Sequence, residues 1–439
     1  MRVIDTLIDG LVLSRSTSTT HLLIGLREEP GPRGRALPSP SFPTGEIMRA
    51  PSPVLVGLAA TAVLALSGCA GGSTSETAAA TASAGAGSAA AGSAGTGCSG
   101  ALGVMAPITG GAASIGVEQL NFAKLAVEDF NAKNGTSFTT VEGDTQLDAG
   151  QASTVAQQFV SNSKVIGVVG PAGSQEVESV GQPFADAKMS FVSPSATKTS
   201  LSEGKYPTFA RVIPTDAVQG PTDAAFIADE LGAKKVLIVE EKTSYGAGLS
   251  DAMETALQAK GVEATRQQVS QKQPDYSSIV SLVSDDTQVV FVTFQIAANS
   301  KALANQLQQQ GKSAVVFGSD GSFSGDFDVP GQYVSSFAPD ITGIAAAKPV
   351  ADAYQAKYTG DFGTFGPPTY VAAQAVMTAA SKECTGQADR ARTSANLLQV
   401  QLPDSILGGP IAFTPTGDVQ NAKFYIFKIG DDRKPALVP

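Results

Sequence analysis

Four short polar segments carry side chains that could hold a small charged molecule. Ser174 closes the turn Gly170-Pro171-Ala172-Gly173-Ser174, between the apolar run Val165–Val169 and a helical pattern. A serine there either caps the helix or offers its hydroxyl, beside the helix's own N–H groups, to an anion; residue type alone leaves both open. Ser195-Ala196-Thr197 follow the apolar pair Phe191–Val192, as a ligand-facing loop or as a plain connection. Tyr245 lies in a Gly-rich loop after Val236–Val239, where its ring brings apolar area and one hydroxyl. Asp320 stands in a Gly-flanked turn after the run Ala314–Phe317. The stretch from Asp320 through Gly325 to Asp328 looks like a calcium loop, but Gly331 occupies the place of the bidentate glutamate, so no metal is assigned.

What the chain lacks narrows the chemistry further. Its single histidine is His21, and it has no tryptophan. His21 falls in a segment that the reading below removes from the mature protein, and a mature chain without histidine runs neither a Ser-His-Asp nor a Cys-His mechanism. It builds no His-ligated metal site either. Residues 98–439 contain no G-x-S-x-G, Walker or G-x-G-x-x-G signature. The chain therefore reads as a non-enzyme without a cofactor. A net charge of −10 argues against nucleic acid, whose partners concentrate Lys and Arg.

The elements that position those segments begin well inside the chain. Met48 and Arg49 open a second, better start, followed by the apolar run Val54–Leu66, of signal-peptide length and too short to span a bilayer. It ends in Leu66-Ser67-Gly68-Cys69, which resembles the lipobox of bacterial lipoproteins, with Cys69 as the lipidated mature N-terminus. Residues 1–47 then read as a mis-assigned leader or as a longer one. Residues 70–97 hold Ala, Gly, Ser and Thr with one acidic exception, Glu76; they bury too little to offset ordering entropy and read as a disordered tether.

Residues 98–439 alternate continuous apolar runs (Val165–Val169, Val236–Val239, Val289–Phe294, Ala314–Phe317) with helical spacings such as Phe122, Leu125, Ala126 and Phe130, or Ala225, Ile227, Ala228 and Leu231. Runs of that kind are strands covered on both faces. Strand–helix alternation implies an α/β fold with parallel sheets and right-handed crossovers. The length exceeds what one core usually serves, about 250–300 residues, so two lobes are expected.

The ordered set of motifs is specific. Ala106-Pro107-Ile108-Thr109-Gly110 is followed by Gly116 and Leu125-Ala126-Val127-Glu128-Asp129-Phe130-Asn131-Ala132-Lys133. Then come Gly170–Ser174, Val192–Thr197, Pro214-Thr215-Asp216 with Gln219-Gly220, Tyr245-Gly246-Ala247-Gly248 and Gly318-Ser319-Asp320-Gly321. In that order and spacing, residues 98–439 resemble the Leu/Ile/Val-binding protein family of branched-chain amino acid ABC transporters. The resemblance implies a type I periplasmic binding protein fold: two Rossmann-like lobes, joined by three hinge crossovers, with ligand between them. Lobe one would take residues 98–215 and 344–422, lobe two 216–343 and 423–439.

An α-amino acid offers a carboxylate and an ammonium at fixed separation. By the resemblance, Ser174 and Thr197 with the backbone of Ser195 and Ala196 meet the polar end, and Asp320 receives the ammonium. Here Asp stands where the best-known members have Glu. Tyr245 would cover the ligand, and Phe365 matches an aromatic of the apolar wall, although a core aromatic reads equally well. Ile115 and Ile296 stand where the family has aromatics, which alters the wall but not the polar set. The implied protein is a monomeric substrate-binding protein on the outer face of the cell membrane, held there by its lipid anchor. It would deliver an amino acid to an ABC permease. Alternatives within the fold are urea, a short amide or an aromatic acid, and a ligand-sensing surface receptor. With Cys69 lipidated, Cys98 and Cys384 are the two cysteines left in an oxidising compartment and should pair. Cys384 ends the helical stretch Thr369–Lys382, which the resemblance places in the same lobe.

Overall fold

The computed structural model describes residues 97–358 and 362–439. The leader at 1–47, the signal peptide with Cys69 and all but the last residue of the 70–97 tether lie outside the described residues.

The chain opens with β1 (Ser99–Ala106), α1 (Ala113–Asn134), β2 (Ser137–Asp144), α2 (Ala149–Ser161), β3 (Val165–Val169), α3 (Ser174–Asp186), β4 (Phe191–Ser193) and β5 (Phe209–Arg211). These strands form an all-parallel sheet in the order β2-β1-β3-β4-β5. Every residue of β3, Val-Ile-Gly-Val-Val, is buried, as a strand covered on both faces requires. Local chemistry sets the helix starts: Asp148 accepts N–H bonds from Gly150 and Gln151, both 2.9 Å, and so begins α2.

The second sheet is built from β6 (Lys235–Glu241), β7 (Glu263–Val269), β8 (Val289–Val292), β9 (Val315–Gly318) and β10 (Tyr333–Ser336). Helices α4 (Asp216–Ala225), α5 (Ser244–Ala259), α6 (Ser277–Val280) and α7 (Ala297–Gln309) alternate with them. The chain then supplies α8 (Lys348–Lys357), α9 (Gly366–Ser381) and α10 (Arg390–Leu397), the small hairpin β11 (Gln401–Leu402) and β12 (Ile411–Ala412), and finally β13 (Tyr425–Ile429) and β14 (Pro435–Leu437). The second sheet runs β14-β13-β10-β9-β8-β6-β7, and both β13 and β14 pair antiparallel. The other strand pairs of both sheets are parallel, as expected. β13 arrives from the other lobe and needs no helical crossover, so nothing imposes the parallel direction. The strand expected over Val289–Phe294 stops at Val292, because the next residues turn into α7.

Although late in sequence, α9 packs on α1, β3 and β4 of the first sheet. The chain therefore passes between the sheets three times, after β5, after β10 and before β13. The crossings contribute Ile213, the pair Phe337 and Ala338, and Phe424 to a single buried apolar cluster that also contains Phe365, Ile115, Leu147 and Ala172. Phe337 meets Phe365 edge-on at 5.5 Å between ring centres. A disulfide joins Cys98, at the foot of β1, to Cys384, just beyond α9. No helix among the described residues is long and apolar enough to cross a membrane.

In both sheets the strand order reverses beside the first strand of the unit, β1 in one and β6 in the other. Open α/β sheets bind ligands at that switch point, beyond the carboxyl ends of the strands. The segments picked out above lie there: Ile115 after β1, Ser174 after β3, Ser195–Thr197 after β4, Tyr245 after β6 and Asp320 after β9.

Candidate functional site

The loops at the two sets of strand ends enclose a cavity of about 20 Å³, lined by Ile115, Leu147, Ala172, Ser174, Ser195, Tyr245, Gln295, Asp320, Gly321 and Phe365. That space admits little more than a water, so an amino acid enters only when the sheets separate. Ser174, Ser195, Tyr245, Asp320, Phe365 and Ile115 from the sequence reading converge here. Ile296 is half-buried and is not part of the lining; it lies across the cleft from Gly111, where a Cβ would meet it at 3.1 Å. Its neighbour Gln295 takes the lining position, because the chain leaves β8 two residues earlier than the apolar run suggested.

Asp320 is 2% exposed and begins a 3-10 turn directly after β9. Burial pushes its carboxyl up to about 6; the Tyr245 hydroxyl, the Gln219 amide and the N–H groups of Asp320 and Gly321 oppose that rise. Tyr245 lies in the first turn of α5 rather than in an open loop, capped by Thr243, whose hydroxyl accepts from the Gly246 N–H at 3.0 Å. Its hydroxyl donates to Asp320 Oδ1 at 2.7 Å, and Ser319 Oγ stands equally close. The tyrosine thus orients the carboxylate, besides any area it lends to a ligand.

Two further carboxyls crowd the same place. Asp216 is 1% exposed, and neither of its oxygens has a hydrogen bond among the described residues. Burial raises it to about 7, and the charge of Asp320 adds to the rise; Thr197, Arg211 and Lys198 oppose it. The Thr197 hydroxyl, fully buried, faces this carboxyl without reaching hydrogen-bond geometry. Asp223 is held well above its ordinary value, first by burial and then by Asp320, against bonds from Ser335 and Gln219. Orphaned buried polar atoms are uncommon and call for a partner. Asp216 and Asp223 lie close enough to Asp320 for its charge to raise both, but of the three only Asp320 lines the cavity. Asp216 was visible in the Pro214-Thr215-Asp216 motif, but the sequence reading gave it no role.

The anion side is built by Ser174 and the loop after β4. Ser174 is not the N-cap: Gly173 holds that position, and Glu176 closes the cap by accepting the Gly173 N–H at 2.6 Å. The Ser174 hydroxyl, relieved of capping, accepts from the Lys198 N–H at 3.3 Å and keeps its proton for an acceptor at the start of α3. Glu176 itself is fully buried, and burial raises it to about 7. Ser195 is committed to the scaffold: its hydroxyl donates to Ala172 O and accepts from Gln119 Nε2, both 2.9 Å. Ala196 and Thr197 are held by Arg211, whose buried guanidinium donates to Ala196 O (2.9 Å), Lys198 O (2.8 Å), Ser202 Oγ (2.6 Å) and Asp418 Oδ1 (2.6 Å). A buried arginine with that many partners fixes a loop. Its only trace in the sequence is a cation ending the apolar run at 209–210.

Contacts across the cleft come from polar side chains. Gln175 Nε2, on α3, donates to Gln295 Oε1 at 3.0 Å. Lys198 Nζ reaches both Glu178 of α3 (2.7 Å) and Ser244 of α5 (2.9 Å). Closure is therefore held at the rim by hydrogen bonds that a ligand need not touch.

Two Rossmann-like sheets facing each other across a polar cleft define the class: a solute-binding protein with the type I periplasmic fold. A model described as "Periplasmic binding protein" matches residues 101–434, and the chain belongs to that family. Among relatives, it is similar to the Leu/Ile/Val-binding protein BraC3 of Rhizobium johnstonii, 28% identical over 340 residues, covering 74% of this chain and 90% of the relative. It is 26% identical over 336 residues to the Leu/Ile/Val-binding protein of Escherichia coli K12, covering 74% and 89%. In fold it is similar to the branched-chain amino acid transporter substrate binding protein LivJ of Streptococcus pneumoniae in complex with isoleucine. That match has a TM-score of 0.70 at 22% identity and covers 77% of this chain and 99% of the other.

Proposed function

We propose that this chain is the extracytoplasmic receptor of an ABC uptake transporter and that it closes on a branched-chain or similarly small α-amino acid. The observation that carries the reading is the buried carboxylate Asp320, held by Tyr245 at the cavity and backed by Asp216 and Asp223. Such a group is costly to bury unless a cation joins it, and an ammonium is that cation. On the opposite side Ser174 and the first turn of α3 supply donors for the carboxylate; the Thr197 hydroxyl, turned to Asp216 in the closed form, is not among them. Ile115, Leu147, Ala172 and Phe365 form the wall for the side chain, with Ser195 and Ala196 acting through loop shape.

The relatives named for Leu, Ile and Val support this ligand class. Urea, amides and aromatic acids bring no ammonium for Asp320. Hinge closure would trap the ligand and present both lobes to a membrane permease, with no chemistry on the solute. The Leu66-Ser67-Gly68-Cys69 motif supports a tether to the outer face of the cell membrane through lipidated Cys69, with residues 70–97 as its flexible part. Mass spectrometry of the mature protein should then find an acylated Cys69 as its first residue. A thermal-shift screen of the twenty amino acids, urea and aromatic acids tests the ligand class, since a molecule that binds only the folded state raises the melting temperature. Branched-chain amino acids should give the shift; a shift from urea or an aromatic acid alone would replace this reading.

A further inference from the structure

Besides Asp320, Tyr245 and the two serines, the polar side chain in the cavity lining is Gln295. This residue is 7% exposed, lines the cavity, and lies just ahead of α7. Its amide orientation is set by its neighbours. Gln175 Nε2 donates to the backbone carbonyl of Leu147 at 3.3 Å, and a carbonyl can only accept, so that atom of Gln175 is the nitrogen. The same nitrogen lies 3.0 Å from Gln295, which makes the facing atom of Gln295 its oxygen. A second amide, Gln271 Nε2, approaches that oxygen at 3.5 Å while donating to Glu241 Oε1 at 3.0 Å. With Oε1 occupied from two sides, the two Nε2 hydrogens of Gln295 have no acceptor among the described residues.

We propose that Gln295 determines specificity at the side-chain wall: its Nε2 group donates to an oxygen on the ligand's side chain, so the site prefers a small hydroxyl- or carbonyl-bearing amino acid to its aliphatic isostere. The inference rests on the amino-acid reading above and refines it. Threonine and valine are the sharpest pair, because they match in shape and differ by a hydroxyl in place of a methyl.

The test is calorimetric titration of the full chain with L-threonine and L-valine, repeated on Gln295→Leu. The parent should bind threonine about three- to tenfold tighter than valine, the range of one neutral hydrogen bond. Gln295→Leu should erase or invert that ratio. Gln175→Leu leaves Gln295 in place but removes the closer of the two donors that hold its Oε1, so it should weaken both ligands and reduce, without abolishing, the lead of threonine. A parent that binds valine as tightly as threonine overturns the proposal, as does a Gln295→Leu variant with an unchanged ratio. If Gln295→Leu does not fold, the parent ratio, with asparagine against leucine as a second pair, decides alone. Failure of every amino acid to bind would instead remove the underlying reading, and this inference with it.

Discussion

The two ends of the cavity are built on different physical terms. The head-group end is a set of buried charges and donors held by other buried groups: Tyr245 on Asp320, Glu176 on the turn before Ser174, and Arg211 on the loop carrying Thr197. The side-chain end is an apolar wall, Ile115, Leu147, Ala172 and Phe365, interrupted by one amide. Charge in a low-dielectric site is specific and costly to misplace; apolar contact tolerates change by a methyl or two. The head end should therefore decide whether a molecule binds, and the wall which member of the class binds best. The wall is also continuous with the hinge, since Phe365 packs on Phe337, which packs on Phe424. The apolar wall and the residues at which the chain crosses between the lobes thus form one packed cluster.

The sharpest way to break this contrast is Asp320→Asn, which keeps the shape and removes the charge. Breaking a desolvated charge pair costs about 2–5 kcal/mol, and calorimetry should find that loss for every amino acid alike, whatever its side chain. Next in size is the response to pH. The ligand's ammonium favours ionised Asp320 and Asp216, whereas protons compete for them below about 6 and about 7. Affinity should fall on acidification through that window, by about tenfold per pH unit for each proton that binding must displace.

The unliganded protein should behave in the opposite sense. Carboxyls raised by burial favour the folded state at low pH and lose that contribution as pH rises through the raised values. Glu176 (about 7) and Glu241 (about 8), both raised mainly by burial, act in the same direction as Asp216 and Asp320. The melting-temperature gain on adding ligand should therefore grow between pH 5.5 and 8. A gain that shrinks across that range would contradict the ammonium site.

Smaller effects test the anion side and the rim. Ser174→Ala removes one hydrogen bond to a charged group and leaves the backbone donors of α3, so it should cost on the order of 1–2 kcal/mol in binding. Gln175→Leu removes the amide bridge at 3.0 Å without touching the head group. It should cost about 0.5–1.5 kcal/mol, seen in stopped-flow as faster ligand release with little change in association, because the bridge exists only in the closed form.

The sequence was most informative where one physical demand fixes residue type. Strands buried on both faces must be continuous apolar runs, and β3 and β6 stand where those runs lie. It was less informative where a position depends on how a loop turns. Ile296 was assigned to the wall by the resemblance, at a position where the family has an aromatic. β8 ends early, at Val292, and Gln295 rather than Ile296 lines the cavity. Residue type left Ser174 open between cap and ligand donor; the Gly173–Glu176 pairing, three residues apart in the sequence, shows that the cap is already made. Asp216 carried no signal of burial, since a carboxylate after Pro214-Thr215 reads as an exposed helix start. Its environment comes from Asp320, more than a hundred residues later, and from Arg211 at the end of β5.

The central claim is that one site grips both ends of an α-amino acid, with Asp320 taking the ammonium. Titrating the parent and Asp320→Asn with leucine and with 4-methylpentanoate, its counterpart without the amino group, tests it most directly. The parent should bind leucine and largely ignore the acid; the variant should lose leucine and gain on the acid, as a neutral amide no longer requires a cation. If the parent binds 4-methylpentanoate as tightly as leucine, or if Asp320→Asn leaves leucine binding unchanged, then Asp320 is not the ammonium site and the account of the cleft is wrong.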